Sequence, residues 1–346
     1  LKMMRFYKDP NKIYLDSAKA SPYYYELLEW RNNYEKKSLV LKSEIRINHK
    51  KLVKNIKKEV SDFFMLKNGD VFFSSSFSQA FFSLINNING KPKFIVLEDD
   101  YPSISDAIKK NNFDIIFIKN DSNIEENIKS AIDKFEPNFL AISVVQWVDG
   151  IKIDINFLKL LKSKYDNLSI IADGTQFCGT CKFNFENSPF DVIISSGYKW
   201  MLAGYGISFI LIKENFYSNK FVSFKKKQAQ DFIELGHYDM LAIGSLSFSL
   251  KKLTESIDMI EKKLTSFSKI IMSELTKLDL IEKKVKSRLN HSTIFNIKDN
   301  DGRLFKFLLK NNFICSQRGN GVRVSFNFFN TKSEIKKFVK TLKKFN

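Results

Sequence analysis

The chain predicts an α/β protein, with a mostly parallel sheet in a large domain and a smaller α+β C-terminal domain. Two observations carry that class. Between residues 13 and 213, short apolar runs alternate with amphipathic segments, and several runs are continuously apolar, as strands covered on both faces are. From about residue 233 the pattern becomes one long helical repeat followed by further strands.

In order, the runs are VFFS (71–74), FIVL (94–97), DIIFI (114–118), FLAISVV (139–145), LSIIAD (168–173), DVIIS (191–195) and ISFILI (207–212). Amphipathic segments between them predict helices packed on each side of a sheet. Further on, Leu253, Ile257, Ile260, Leu264, Phe267, Ile271 and Leu275 recur at steps of three and four, the stripe of one long amphipathic helix. STIFNI, FICSQ and VRVSF read as strands. Thr331 and Glu334 have capping-box spacing ahead of a last helix with Ile335, Phe338, Val339 and Leu342 on its apolar face. The expected division is a large domain over 13–232 and a small one over 233–346, joined by residues 1–12.

Composition narrows the class. In 346 residues, 44% are hydrophobic and 14% aromatic, enough to fill one large core or two moderate ones. No apolar run approaches the roughly 20 residues that cross a bilayer, and the first residues lack a secretory apolar core, so a soluble cytoplasmic protein without membrane contact is expected. Three cysteines, Cys178, Cys181 and Cys315, are too few for a disulfide framework. The net charge of +18 raises nucleic acid as a partner, but the lysines are spread along the chain, which favours a solvated surface.

The chemistry concentrates in SSGYKWMLAGYG (195–206), where Lys199 follows one apolar run and precedes another. Asp173 ends LSIIAD, where α/β sheets place ligands, and Gln176 follows three residues later. Ser76, Phe77 and Ser78 mark a strand-to-helix junction whose N–H groups and hydroxyl suit an anion, with Ser196 and Tyr198 close to Lys199 in sequence. Tyr101 follows the run FIVL, and Arg323 in GVRVSF offers a guanidinium that binds a carboxylate through two parallel hydrogen bonds. Taken singly, each has a plainer reading: Asp173 and the serines as caps, Tyr101 as an exposed loop aromatic, Arg323 as half of a surface ion pair. Together they meet the needs of pyridoxal 5′-phosphate. That cofactor requires a lysine for its Schiff base, a carboxylate for its pyridine nitrogen, a phosphate cradle, a flat group on its ring and a cation for the substrate carboxylate.

IYLDSAKASP (13–22), SSSFSQA (74–80), LEDDYPSI (97–104), VVQWVDGIKIDI (144–155), IIADGTQFCG (171–179), SSGYKWMLAGYG, FIELGHYD (232–239) and GVRVSFNFFNTKSEI (321–335) resemble, in order, the class V aminotransferase family. The resemblance is greatest to its isopenicillin N epimerase-like and cysteine desulfurase-like branch. It implies fold type I of the pyridoxal phosphate enzymes, a homodimer with the active site at the subunit interface, and a small amino acid as substrate. Carried over by position, Lys199 is the catalytic lysine, Asp173 the pyridine partner and Gln176 the contact to the ring hydroxyl. Ser78, Ser196 and Tyr198 fall at the phosphate, beside Ser76 and Phe77 of the same junction, Tyr101 on the ring and Arg323 at the substrate carboxylate. Gly236 and His237 stand where many relatives have a Gly-Thr pair reaching the neighbouring subunit's phosphate.

Departures bear on the reaction. Desulfurases carry a nucleophilic cysteine on a mobile loop; here the nearby thiol is Cys315, inside FICSQ. Trp147 replaces an asparagine and Tyr101 a stacking histidine. Cys178 and Cys181 read as structural thiols, and His49, His237 and His291 are too dispersed for a metal cluster. The expected activity is aminotransferase-like, through Lys199 and a carbanion delocalised into the ring. The alternatives are a carbon–sulfur lyase or epimerase without a cysteine nucleophile, and a non-catalytic basic binding protein.

Overall fold

A computed structural model describes residues 4–345. Its elements, in chain order, are β1 Ile13–Tyr14, α1 Tyr25–Leu41, α2 His49–Phe63, β2 Gly69–Ser74, α3 Phe77–Ile85, β3 Lys93–Leu97, α4 Pro102–Lys110 and β4 Asp114–Ile118. There follow α5 Ile124–Phe135, β5 Phe139–Ser143, α6 Ile155–Lys164, β6 Ser169–Asp173, β7 Val192–Ser196, β8 Ser208–Lys213 and α7 Lys226–Ile233. The remainder comprises α8 Met240–Lys277, α9 Lys283–Lys286, β9 Ile294–Lys298, α10 Arg303–Lys310, β10 Phe313–Ile314, β11 Ser316–Arg318, β12 Gly321–Ser325 and α11 Lys332–Phe345.

The seven apolar runs become the seven strands of one sheet, in the order β2-β8-β7-β6-β5-β3-β4. β8 runs against both of its neighbours, and the other pairings are parallel. β5, β6 and β7 are buried at every position, which is why their sequences do not alternate. One face packs Phe94, Phe139, Ile171, Ile194 and Ile210 against α3 and α4; the other packs Ile95, Leu140, Ile170, Ile193 and Leu211. Each such side chain contributes roughly 1.5–3 kcal/mol of burial. FLAISVV stops being a strand at Ser143, where the Asp100 carboxylate accepts from the Ser143 N–H at 3.0 Å.

At the opposite end of the sheet, buried Asp191 locks β6 to its surroundings. It accepts from Ile170 N–H at 2.8 Å, Lys162 Nζ at 2.7 Å and Asn215 Nδ2 at 2.8 Å. A buried carboxylate with that many donors is satisfied, whereas removing one partner would strand the other charge at a cost of about 3–5 kcal/mol.

β3 leads to β4 on one side and, after α5, the chain returns to place β5 on the other side of β3. Strand order reverses there, and open α/β sheets leave a crevice at the carboxyl ends of such strands. Tyr101 follows β3, Trp147 follows β5, Asp173 ends β6 and Lys199 follows β7. The topology alone therefore gathers four of the chemically interesting side chains at one edge.

The C-terminal part contains the antiparallel sheet β11-β12-β9 and the parallel pair β1-β10. The stripe from Leu253 to Leu275 is the buried face of α8, whose N-terminus is capped by Asp239 accepting from Ala242 N–H at 3.0 Å. The capping box forms as spaced: Thr331 N–H donates to Glu334 at 2.8 Å, and Glu334 N–H donates to Thr331 Oγ1 at 3.1 Å. FICSQ differs from its reading as one strand. Phe313 and Ile314 pair with β1, Ser316 onward pairs with β12, and Cys315 sits at the break between the two sheets. Among the described residues no helix is long and apolar enough to cross a membrane.

Candidate active site

Lys199 is held by a tight turn between β7 and β8. Gly197 N–H donates to Ile207 O at 2.8 Å, Ala203 N–H to Gly197 O at 2.9 Å and Leu202 N–H to Lys199 O at 3.2 Å. Leu202 takes a left-handed φ of +58°, a conformation that non-glycine residues hold only where the surroundings enforce it. Gly179 fits the turn from outside: its φ is +90°, and a Cβ there would lie 2.5 Å from Trp200 O. The Lys199 side chain is 8% exposed, with its Nζ 5.5 Å from the Tyr198 ring centroid.

Burial pulls the Lys199 amine down to about 8, opposed by the Asp173 charge and reinforced by Arg323 and Arg318. Buried Asp173 is pushed up by its loss of water, while its bonds to Thr175 and the Lys199 charge pull it back. Its Oδ1 accepts from Thr175 N–H at 2.7 Å, so the turn-cap reading of Asp173 holds alongside its place beside Lys199. Gln176 bridges two walls: Nε2 donates to Ala18 O at 2.8 Å, and Oε1 accepts from Trp200 Nε1 at 2.7 Å.

Hydroxyls and N–H groups gather at the N-terminus of α3. Ser76 caps the helix by accepting from Gln79 N–H at 3.2 Å, Phe77 N–H donates to Ser196 Oγ at 3.1 Å, and Ser78 Oγ lies 2.7 Å from Ser103 Oγ. Strand register puts Ser74, Ser208 and Ser196 in one row across β2, β8 and β7. The Ser74 and Ser208 hydroxyls are buried without a hydrogen-bond partner; Ser74 opens SSSFSQA and Ser208 lies in ISFILI, but the sequence reading places neither in the site. The cross-strand register is what aligns them with Ser196.

Tyr101 is half-buried rather than exposed. It stands edge-on to Phe77 at 5.7 Å and to Trp147 at 6.0 Å, so these rings form one wall. Tyr198 stacks on Tyr205 at 4.7 Å. Asp100, beside Tyr101, was not distinguished in the sequence; it is buried, bonded to Ser143 and pushed up by burial.

Arg323 is 2% exposed, so it is not a surface ion pair. Nη1 donates to Trp147 O at 2.8 Å, Nη2 lies 3.6 Å from Asp16 Oδ1, and Nε has no partner. Burial lowers this guanidinium to about 10. Asp16, 4% exposed, is fixed through Oδ2 by Ser316 Oγ at 2.5 Å, leaving Oδ1 without a hydrogen bond. Asp16 lies in IYLDSAKASP, yet only the fold brings it to a residue 307 positions later. His237 stands apart: it is exposed, with its ring nitrogens 3.3 and 3.2 Å from Arg46 Nη2.

These residues fit pyridoxal phosphate. A buried lysine beside a buried carboxylate, hydroxyls without partners near a helix N-terminus and a guanidinium with a free Nε are groups of the kinds that this cofactor and its substrate need. No group of three or more potential metal ligands occurs among the described residues. Burial raises all three thiols, Cys315 to about 12, which leaves them poor nucleophiles.

Fold and site together define a fold type I enzyme with pyridoxal phosphate as cofactor. The chain belongs to the class V aminotransferase family, whose model matches residues 13–338. A probable cysteine desulfurase of Borreliella burgdorferi is 24% identical over 259 residues, which cover 63% of this chain and 60% of that relative's length. Among solved structures, a cysteine desulfurase of Thermococcus onnurineus superposes with a TM-score of 0.80 at 15% identity, covering 99% of each chain. A cystine C–S lyase in complex with its product cysteine persulfide gives 0.81 at 10% identity, covering 96% of this chain and 97% of that one.

Proposed function

We propose that this enzyme acts on a small amino acid, with Lys199 moving the proton on Cα in an aminotransferase-like reaction. The observation that carries this is the buried Lys199 amine, drawn to about 8 between Asp173 and Arg323. Bound pyridoxal phosphate supplies an aldehyde for the amino group and a ring that accepts the electron pair left on Cα. Arg323 binds the substrate carboxylate through its free Nε and a neighbouring Nη. Asp173 would hold the positive pyridine nitrogen, and Gln176 Nε2, with one hydrogen left after its bond to Ala18 O, would donate to the ring hydroxyl. The α3 N-terminus at Ser76, Phe77 and Ser78 holds the phosphate together with Ser196 and Tyr198. Tyr101 covers the ring, and the aromatic wall excludes water from the proton that Lys199 takes up and returns. His237, exposed beside Arg46, faces a second subunit's phosphate in a homodimer.

A second reading has one specific support. The cystine C–S lyase noted above shares the fold, and burial raises the proton affinity of this chain's three thiols, which disfavours them as sulfur acceptors. A lyase here would release sulfur on the departing fragment, without a persulfide on the enzyme. Incubating the holoenzyme with single amino acids and no keto-acid acceptor separates the two. An aminotransferase stops after one equivalent of keto acid per site and loses its visible absorbance. Continued release of keto acid with ammonia contradicts that reading and selects the lyase.

A further inference from the structure

The hairpin that carries Arg323 carries a second guanidinium. Arg318 ends β11 opposite Gly321, while Arg323 lies opposite Ser316. Directly opposed residues, and residues two apart on one strand, share a face of an antiparallel sheet. Arg318 and Arg323 therefore project from one face as diagonal neighbours, with backbones roughly 7–8 Å apart. The end of the hairpin is pinned, since Asn296 Nδ2 donates to Arg318 O at 2.7 Å through space that a side chain at position 321 would fill.

The two cations are unequally supplied. Arg323 has Asp16 nearby and a free Nε for a substrate carboxylate. Arg318 makes one side-chain hydrogen bond, Nη1 to Gln317 O at 2.7 Å, and has no ion-pair partner among the described residues. Its charge nevertheless reaches the centre of the site, lowering the proton affinity of both Lys199 and Arg323.

We propose that Arg318 is a second anion subsite beside Arg323, and that the substrate is an amino acid bearing a second acidic group on its side chain. The proposal rests on the reading that Arg323 receives the substrate carboxylate. A planar guanidinium takes a carboxylate through charge-assisted bonds that a neutral amide cannot replace, so acid is selected over amide. Both groups belong to one bound molecule, which spans the two arginines across the hairpin.

The test compares succinate with succinamate, its monoamide, by calorimetric titration of the holoenzyme at physiological ionic strength. Wild type is expected to bind succinate about tenfold more tightly. In Arg318→Gln the ratio of the two dissociation constants falls to about one, and Arg318→Lys restores part of it through charge alone. Arg318 is half-exposed at a hairpin end, so these variants keep the fold. A wild-type ratio near one, or a ratio that persists in Arg318→Gln, overturns the subsite. Failure of the underlying reading looks different: Arg323→Gln then leaves succinate affinity unchanged, which overturns both assignments.

Discussion

Lys199 shows how a residue acquires chemistry from its surroundings. An amine in water holds its proton far above neutrality; here burial draws it to about 8. This has a thermodynamic consequence in the cofactor-free protein. Between about 8 and 10.5 the unfolded chain keeps the proton that the folded amine has released, so the contribution of Lys199 to stability rises with pH across that window. Below 8 both states are charged, and the full cost of burying the ammonium is present. In urea unfolding of apoprotein at several pH values, wild type is expected to gain stability relative to Lys199→Met across this window, while the buried thiols, whose proton affinity is raised, lower both profiles alike. Parallel profiles for the two proteins would mean that the amine is not buried as described. The lysine was legible in SSGYKW because strand, turn and strand leave a recognisable apolar frame. Asp16, Ser74 and Ser208 were not, because each gains its role from a partner across the fold rather than from its neighbours in sequence.

Among the elements, the central strands β5, β6 and β7 were legible because burial on both faces removes alternation, while β4 at the sheet edge was legible from its apolar run alone, with only Ile118 buried. α8 was legible because one-sided burial imposes a helical stripe. The break at Cys315 was not, since continuous apolar character does not say which sheet each half joins. α1 poses the opposite case: only Leu27 of its 17 residues is buried, so no stripe marks it. Its apolar residues near the C-terminus point outward, with Leu39 78% and Val40 79% exposed, and Ile47 just beyond at 77%. Exposed apolar groups this close together are costly in a monomer. The proposed homodimer would cover them. Sedimentation is expected to show a dimer for wild type and a shift to monomer for Leu39→Asp combined with Val40→Asp. A monomeric wild type at micromolar concentration contradicts the dimer.

At the scale of the whole molecule, the sheet does the positioning. A strand order that reverses between β3 and β5 brings Tyr101, Trp147, Asp173 and Lys199 to one edge, and the C-terminal sheet delivers Arg323 to the same place. Local motifs could name these residues, but their convergence follows from parallel crossovers and the β11-β12 hairpin, which no single stretch encodes. The claim that this convergence exists to hold pyridoxal phosphate on Lys199 has a direct measurement. Purified protein loaded with the cofactor and treated with borohydride should carry one covalently fixed pyridoxyl group, and peptide mapping should place it on Lys199. Lys199→Ala should show neither the fixed group nor its chromophore. Labelling of another lysine, or full labelling in Lys199→Ala, would contradict the account.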